Sequence, residues 1–428
     1  MEHLFKLFYE TSGVCTDTRK ITPNCLFVCL KGANFNGNTF AQEALKQGAR
    51  YVISDESEFA TENAIHLVPD SLLFLQKLAN HHRKQFSIPV IGITGSNGKT
   101  STKELIHAVL SEKYKVLATV GNLNNHIGVP LTLLRLTQEH EIAIIEMGAN
   151  QFKDIEELCA IAEPTHGIIT NIGKAHLEGF GGFEGVLKTK RELYESVEKI
   201  GGTLIINNDD PILLSQIKGD TKVYTYGTGI DADVVGKLIK LDPFVNLSWT
   251  DHEYHSTEIP TQMVGKYNFY NFLAAISFGR YFGVEPEKID HAISNYTPEN
   301  NRSQIVKTEQ NTLILDCYNA NPTSMRSALE SFALIDHSKK VFIIGDMLEL
   351  GEQALSEHSN ILDFIQENNL RGYTVGPIFN SLQNTNSIKQ FLNREEALDY
   401  FKQNKQENSL ILLKGSRGIG LEKLESVL

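Results

Sequence analysis

The chain has 428 residues, and at roughly 150 residues per domain this length predicts about three domains. Apolar residues make up 41% and charged residues 21%, which is typical of a globular protein and excludes a disordered one. The net charge of -12 excludes general binding to nucleic acid or to anionic membranes, because both require a broad positive surface. The same net charge is compatible with a small anionic ligand that a few local cations bind.

Three further features predict a cytoplasmic protein without membrane insertion. No apolar run approaches the roughly 18 to 20 residues that a membrane span needs. Glu2, Lys6 and Glu10 interrupt the apolar residues at the N-terminus, which does not look like a signal peptide. The five cysteines form no CxxC pair, so we expect core or surface thiols rather than disulfides or a metal site. They are Cys15, Cys25, Cys29, Cys159 and Cys317.

Residues 1–86 are predicted to form a small mixed α/β domain. Short apolar strands are expected at 26–30 and 50–53, followed by a helix over 71–85. Ser87-Ile88-Pro89 marks the end of this unit, because proline and the residue before it both disfavour a continuing helix. The apolar face predicted for the helix consists of Leu72, Leu73, Leu75, Leu78 and Ala79.

Residues 87–301 and 302–428 are predicted to form two further α/β domains. Continuous apolar strands separated by helical segments are typical of parallel sheets covered by helices on both faces. Residues 222–262 look instead like an antiparallel insertion. The strands predicted for the central domain lie at 90–94, 142–145, 167–170 and 203–206, and those of the third at 313–315, 341–344 and 410–413.

The sharpest motif is VIGITGSNGKT at residues 90–100, where a strand is followed by a glycine-rich turn and then by a helix. Backbone N–H groups at such a helix N-terminus bind phosphate, Lys99 adds a positive charge, and the Thr100 hydroxyl is suited to Mg²⁺. The strict P-loop pattern requires glycine at Ile93, so this motif is a variant whose glycine stands at Gly95. It predicts a phosphate-binding loop.

Polar residues also follow the next strands of the central domain. Glu146 leaves the end of its strand, where open α/β sheets bind ligands, and is either an Mg²⁺ ligand or an ordinary carboxylate at a strand end. His176 follows the strand at 167–170 and is either a structural histidine or a metal ligand. Residues 187–194 look like a solvated basic helix face, and nothing in this pattern singles out Lys190.

The third domain has polar turns at 315–322, 345–351 and 414–418, each after a predicted strand. Three such turns line one edge of a sheet, which is the usual location of a site. The alternative is three well-capped surface loops.

These motifs resemble the ATP-dependent Mur ligases, and the likeness covers essentially the whole chain. General features of the family are residues 94–101, 121–130, Glu146, His176 and Arg302. Residues 146–150, 171–178, 316–325, 345–351 and 414–417 resemble the branch that joins D-alanyl-D-alanine to UDP-N-acetylmuramoyl-tripeptide. Tyr267 departs from the pattern, because relatives commonly have histidine there.

The resemblance implies three domains: a UDP-sugar-binding α/β domain, a central ATP-binding P-loop-type domain with a mostly parallel sheet, and a Rossmann-like C-terminal domain. It implies ATP and two Mg²⁺ ions as cofactors, closure at a hinge near 298–304, and an acyl-phosphate intermediate. The catalytic residues it implies are Lys99, Glu146, His176 and Lys190, with one Mg²⁺ on Thr100 and Glu146 and a second on His176 and a carbamylated Lys190.

The remaining residues carried over from the family contact the nucleotides and substrates. Those assigned to ATP are Gly95, Ser96, Asn97, Gly98, Lys99, Thr100, Ser101 and Asn125 around the phosphates, Asn268 and Asn271 at the adenine, and Arg302 and Asp316. Those assigned to the substrates are Thr16, Asp17, Thr18, Arg19, Lys31, Gly32, Tyr318, Asn319 and Asn321.

Two other functions stay open. One is a related ligase that adds a single amino acid, or glutamate to folate, and a competition between acceptors separates it from the dipeptide ligase. The other is a non-catalytic ATP-binding switch, which predicts conformational change without acceptor-dependent phosphate release. No face is apolar enough to indicate an oligomer, so we expect a monomer.

Overall fold

The computed structural model of the chain describes residues 1–175, 177–299, 301–382 and 388–428. Within these ranges three sheets follow one another along the chain, together with a two-stranded ribbon. This arrangement confirms the predicted α/β class and the succession of a small unit, a central unit with a mostly parallel sheet and a third α/β unit. We refer to them as the first, middle and third units.

The first unit contains a four-stranded parallel sheet in the order β1-β2-β5-β6. Its strands are β1 (Val14–Cys15), β2 (Leu26–Val28), β3 (Lys31–Gly32), β4 (Phe35–Asn36), β5 (Tyr51–Ser54) and β6 (Ile65–Leu67). Its helices are α1 (Phe5–Phe8), α2 (Ala41–Lys46) and α3 (Ser71–Arg83). Short 3-10 turns lie at Glu2–Leu4, Thr18–Lys20, Gly37–Phe40 and Ser57–Phe59.

Helix α3 begins as predicted, because the Asp70 side chain accepts a hydrogen bond from Leu73 N at 2.7 Å and caps the first turn. Leu75, Leu78 and Ala79 are buried as expected. The prediction for Leu73 was wrong: its side chain points outward and Phe74 occupies the core instead. A single cluster of buried apolar side chains runs from α3 into the middle unit.

The middle unit contains a nine-stranded sheet in the order β15-β14-β13-β12-β11-β10-β7-β9-β8. Its strands are β7 (Val90–Thr94), β8 (Val116–Ala118), β9 (Ile142–Glu146), β10 (His166–Ile169), β11 (Thr203–Asn207), β12 (Lys222–Gly227), β13 (Val234–Leu241), β14 (Phe244–Thr250) and β15 (Ile259–Val264). Its helices are α4 (Lys99–Ser111), α5 (Gly128–Leu133), α6 (Asp154–Ala162), α7 (Leu177–Phe180), α8 (Phe183–Lys199), α9 (Pro211–Leu214), α10 (Asn268–Tyr281) and α11 (Pro286–Asn295).

One prediction for the middle unit was right only in part, and another was wrong. Residues 222–262 are antiparallel over β13, β14 and β15, as predicted, but β12 pairs in parallel with both β11 and β13 and so extends the central sheet. Hydrophobic pattern reports which faces are buried, not the direction of the neighbouring strand. Residues 187–194 are not a solvated face, because α8 packs against α6 and β10 and buries Lys190, Arg191 and Glu192.

The third unit contains a six-stranded sheet in the order β16-β17-β21-β18-β19-β20, in which only β16 is antiparallel. Apolar clusters cover both of its faces. Its strands are β16 (Gln304–Lys307), β17 (Thr312–Asp316), β18 (Lys340–Gly345), β19 (Gly372–Val375), β20 (Lys389–Phe391) and β21 (Leu410–Lys414). Its helices are α12 (Pro322–Leu334), α13 (Ala354–Glu367), α14 (Pro377–Ser381) and α15 (Arg394–Gln403), with 3-10 turns at Gly351–Gln353 and Leu421–Val427.

All five cysteines are buried and unpaired, as the absence of a disulfide pattern predicted. In the described part of the chain, no helix combines the length and the apolar character of a membrane span.

Candidate active site

A cavity of about 960 Å³ opens where the carboxyl ends of β7, β9, β10 and β11 face those of β17 and β21. Parallel strands deliver the residues that follow them to the same edge of a sheet, which explains why distant segments meet here. The predicted site residues that line the cavity are Ser96, Asn97, Gly98, Lys99, Thr100, Ser101, Asn125, Glu146, Asn268, Asn271, Arg302, Asp316, Tyr318, Asn319 and Asn321.

The glycine-rich loop (residues 95–98) joins β7 to α4 and has the predicted strand–turn–helix geometry. Gly95 and Gly98 have φ angles of 145° and 80°. A Cβ atom on Gly95 would lie 2.0 Å from Thr170 Oγ1, so a side chain does not fit at this position. Asn171 holds the loop from the next strand: its Oδ1 accepts from Asn97 N at 3.0 Å and its Nδ2 donates to Asn97 O at 2.9 Å.

Lys99 is the first residue of α4 and lies half-buried beside the loop. Its Nζ donates to Gly95 O at 2.7 Å, so Gly95 positions the lysine although it does not itself line the cavity. Burial lowers the pKa of the Lys99 amine, and Glu146 opposes this shift. A cation at a helix N-terminus within a cavity is an arrangement that attracts anionic groups.

Glu146 has one oxygen that the protein holds and one that it leaves open. Its Oε1 accepts from Asn124 Nδ2 at 2.8 Å and from Thr100 Oγ1 at 3.2 Å. Its Oε2 is buried and has no hydrogen-bond partner in the described part of the chain. An open carboxylate oxygen beside a hydroxyl fits a hard cation such as Mg²⁺. Among the described residues, no group of three or more His, Cys, Asp or Glu side chains is arranged to hold a metal ion.

Lys190 lies on α8, and its side chain is buried. Its Nζ lies 5.5 Å from the centroid of the Phe180 ring. Burial lowers the pKa of the Lys190 amine well below its usual value, and the positive charge of Lys99 lowers it further. The predicted metal ligand His176 lies outside the described residues.

The two asparagines predicted at the adenine form a buried hydrogen-bond chain. Asn271 Oδ1 accepts from Thr102 Oγ1 at 3.0 Å, and its Nδ2 donates to Asn268 Oδ1 at 2.8 Å. Asn268 Nδ2 in turn donates to Ser303 Oγ at 3.0 Å, and the Tyr267 hydroxyl lies 2.9 Å from the same oxygen. This chain links α4 and α10 to the segment that leads into the third unit.

The third unit contributes charged and amide groups to the other wall of the cavity. Lys414 Nζ donates to Asp316 Oδ2 at 2.6 Å. The Arg302 guanidinium lies 3.6 Å from the centroid of the Tyr318 ring. Asn321 caps α12 through its Oδ1, and its Nδ2 donates to Asn97 Oδ1 at 2.7 Å. The third unit therefore contacts the glycine-rich loop directly.

The residues predicted in the first unit do not line this cavity; they are Thr16, Asp17, Thr18, Arg19, Lys31 and Gly32. They are partly or fully exposed, and the charged ones are paired within their own unit. Arg19 binds Asp17 at 2.7 Å, and this pair lowers the pKa of the Asp17 carboxyl to about 2. Lys31 Nζ lies 3.0 Å from Asp55 and 2.9 Å from Glu56.

Sequence reasoning missed several residues that line the cavity. Asn207 ends β11, Asp209 and Asp210 follow it, and the Tyr270 hydroxyl donates to Asp209 Oδ2 at 3.1 Å. The strand-end rule that identified Glu146 applies equally to residues 207–210. Asn124 lies within the motif at 121–130, but only the structure shows its contact with Glu146.

A glycine-rich loop that faces a second α/β unit across a cavity defines the class of nucleotide-using α/β enzymes. Family models match the chain in succession: "Mur ligase family, catalytic domain" over residues 10–83, "Mur ligase middle domain" over 93–279 and "Mur ligase, glutamate ligase domain" over 301–417. The chain belongs to the Mur ligase family.

Similar proteins share the whole architecture. The chain is 36% identical to a UDP-N-acetylmuramoyl-tripeptide–D-alanyl-D-alanine ligase of Bacillus subtilis, over 96% of this chain and 92% of the relative. It is 32% identical to the Escherichia coli protein of the same name, again over 96% and 92%. It superposes on MurF from Acinetobacter baumannii with a TM-score of 0.88 and 30% identity, covering 98% and 97% of the two chains. MurF from Thermotoga maritima in complex with ADP gives a TM-score of 0.87 at 26% identity, with the same coverage.

Proposed function

We propose that this chain is an ATP-dependent ligase that joins D-alanyl-D-alanine to UDP-N-acetylmuramoyl-tripeptide, giving the pentapeptide precursor of peptidoglycan. The observation that carries the proposal is a shared cavity in which the glycine-rich loop meets the third unit, with Asn321 Nδ2 2.7 Å from Asn97 Oδ1. Relatives with this activity in their names match the chain over nearly its whole length.

The reaction has two chemical steps. The terminal carboxylate of the tripeptide attacks the γ-phosphorus of ATP, which forms an acyl phosphate and releases ADP. The free amine of D-alanyl-D-alanine then attacks the acyl carbon; the tetrahedral intermediate loses a proton from nitrogen and expels phosphate as the amide forms. Because carboxylate and triphosphate are both anionic, the first step depends on positioning and on positive charge.

The cavity residues divide between phosphate binding and metal binding. The loop amides, Lys99 and Asn125 would hold the phosphates, and Thr100 with Glu146 would hold one Mg²⁺. The open Oε2 of Glu146 supports this assignment. His176 and a carbamylated Lys190 would hold a second ion. When bound, Mg²⁺ offsets negative charge on the reacting phosphoryl group.

Carbamylation of Lys190 converts an ammonium into an anionic oxygen ligand. The burial of this side chain beside α7 supports the assignment, because an unmodified ammonium is costly in a desolvated position. Protein exchanged into ¹³C-labelled bicarbonate should show a carbamate carbon resonance in NMR spectra. The Lys190→Arg variant should lack this resonance, and its presence in the variant would contradict the assignment.

The other predicted site residues would bind the rest of the nucleotide and the substrates. Asn268, Asn271, Arg302 and Asp316 would contact the nucleotide, and Tyr318, Asn319 and Asn321 the peptide substrates. Thr16–Arg19 and Lys31–Gly32 would contact the uridine nucleotide. We propose functional units at residues 1–86, 87–301 and 302–428, with closure near residues 298–304, in a cytoplasmic monomer that binds no nucleic acid.

The test is phosphate release from ATP and Mg²⁺ with UDP-N-acetylmuramoyl-tripeptide, with and without D-alanyl-D-alanine. Release that requires both substrates, with a product mass equal to the joined pentapeptide, supports the proposal. Equal release with a single amino acid as acceptor would assign the chain to a neighbouring branch. Tight ATP binding without release under any condition would support a non-catalytic switch.

A further inference from the structure

Residues 170–174 follow β10 and form a connector between the glycine-rich loop and the third unit. On the loop side, Gly173 N donates to Ser96 Oγ at 2.9 Å, and Ser96 Oγ lies 3.1 Å from Gly173 O. Thr170 Oγ1 donates to Asn97 O at 2.6 Å. With the contacts of Asn171, these bonds attach the connector to two successive residues of the loop, so displacement of one moves the other.

The opposite side of the connector contacts the third unit through Lys174. Its backbone N–H donates to Thr323 Oγ1 at 3.2 Å, and its Nζ binds Glu357 Oε1 at 2.6 Å. Thr323 lies in the first turn of α12 and Glu357 in the first turn of α13. One residue of the middle unit therefore contacts the N-terminal turns of two helices of the third unit.

The two partners of this ion pair differ in burial. The Lys174 side chain is 50% exposed, whereas that of Glu357 is 8% exposed. Ion pairs between two exposed side chains contribute little, but a desolvated carboxylate depends on its cation, because removal of the cation leaves a buried charge unpaired. If the units separate, both groups return to water. Loss of the Lys174 charge would therefore leave an unpaired buried charge only in the docked arrangement, so it should shift the balance towards separation.

We propose that Lys174 and Glu357 are a positioning pair that holds the third unit against the glycine-rich loop during ligation. Neither is among the residues that line the cavity, so the pair acts through the connector rather than on the reacting atoms. Its effect is to keep Ser96 and Asn97 at a fixed position relative to Asn321 across the cavity. The inference rests on the proposed function for its catalytic readout.

The test is a charge-reversal cycle. Lys174→Glu and Glu357→Lys each replace attraction by repulsion, and each should lower kcat for acceptor-dependent phosphate release by about tenfold. The double variant K174E/E357K restores opposite charges and should return to within about threefold of the wild type. It keeps the acidic replacement near the loop, so its recovery assigns the loss to the pair rather than to repulsion of the triphosphate.

Lys402→Glu is the matched control, because Lys402 pairs with Asp399 at 3.0 Å within α15 and both side chains are exposed. This variant should keep the wild-type rate. Small-angle X-ray scattering gives a readout that needs no catalysis: each single reversal should enlarge the radius of gyration, and the double variant should restore it.

Two outcomes would contradict the proposal that Lys174 and Glu357 act as a positioning pair. Either the double variant is as slow and as expanded as the single reversals, or the single reversals match the wild type in both rate and size. If the wild type releases no phosphate at all, the ligase function fails, and the scattering series still decides whether the pair holds the units together.

Discussion

The predicted site residues of the middle and third units differ sharply from those of the first unit. Around the cavity they are mostly buried or half-buried, and their hydrogen bonds cross from one segment to another, as between Asn321 and Asn97. In the first unit half of them are exposed and none is fully buried, and the charged ones pair within that unit, as Arg19 does with Asp17. The residues around the cavity therefore form a site that the fold assembles without a ligand. The residues of the first unit form a surface whose side chains do not yet converge on one point.

This contrast follows from topology. The middle and third units place loops after parallel strands, and the fold brings all of these loops to one edge. The first unit has a short parallel sheet too, but Lys31 and Gly32 lie on a separate two-stranded ribbon, β3 and β4. The binding of the sugar nucleotide that we propose for this unit would therefore depend on ligand contacts that the protein does not preassemble.

The largest expected effect is at the preassembled site. Lys99→Met removes the cation held by Gly95 O, and kcat for phosphate release should fall by about a hundredfold to a thousandfold, as expected for loss of a preorganised charge at a reacting centre. Lys115→Met is the control, because Lys115 is exposed and pairs with Glu139. Steady-state kinetics of both variants check this. A loss below tenfold would mean that the loop amides alone supply the charge stabilisation.

A somewhat smaller effect is expected from Asn124, which orients Glu146. Asn124→Ala removes the bond to Oε1 and frees the carboxylate to rotate, so affinity for a divalent cation should fall by about tenfold to a hundredfold. Electron paramagnetic resonance titration with Mn²⁺ in the presence of ADP measures this directly. Asn122→Ala, an exposed position of the same loop, should leave the affinity unchanged. Equal losses in both variants would indicate a general loop defect instead.

The strand at 90–94 and the ends of β9 and β17 were predictable from the sequence. A continuous apolar run that ends in polar residues is typical of a strand in a sheet with helices on both faces, and the polar residues mark where the strand ends. Burial of Lys190 was not, because charged residues spaced along a helix usually indicate solvent, and only the packing of α8 against α6 reveals otherwise. The contact between Asn124 and Glu146 joins residues 22 positions apart, which no local pattern encodes.

Lys31 provides a test of the first unit. If Lys31 contacts the sugar nucleotide, Lys31→Met should raise the KM for UDP-N-acetylmuramoyl-tripeptide by about tenfold and leave the KM for ATP unchanged. Lys31 already lies between Asp55 and Glu56, so the opposing outcome is a lower melting temperature with both KM values unchanged. That result would assign Lys31 a structural role. Lys20→Met, an exposed lysine nearby, serves as control.

The smallest expected effect concerns Tyr267, at the position where the family resemblance leads us to expect histidine. Burial raises the pKa of its hydroxyl well above the usual value, so the group stays protonated and can donate to Ser303. Tyr267→Phe keeps the ring and removes one hydrogen bond, worth about 1 kcal/mol, so the KM for ATP should rise by about fivefold.

Ser303→Ala removes the bond to Tyr267 and also the bond from Asn268, so it should raise the KM for ATP at least as much as Tyr267→Phe. The double variant Y267F/S303A should be no worse than Ser303→Ala alone, because the tyrosine then has no bond to Ser303 left to lose. Additive losses would mean that Tyr267 contacts the nucleotide independently of Ser303. In that case the residue belongs to the binding surface itself. A non-additive result would instead mean that Tyr267 acts through the hydrogen-bond chain that joins α10 to the third unit. A tyrosine at this position would then affect how the two units are held together, and not which protein groups contact the nucleotide.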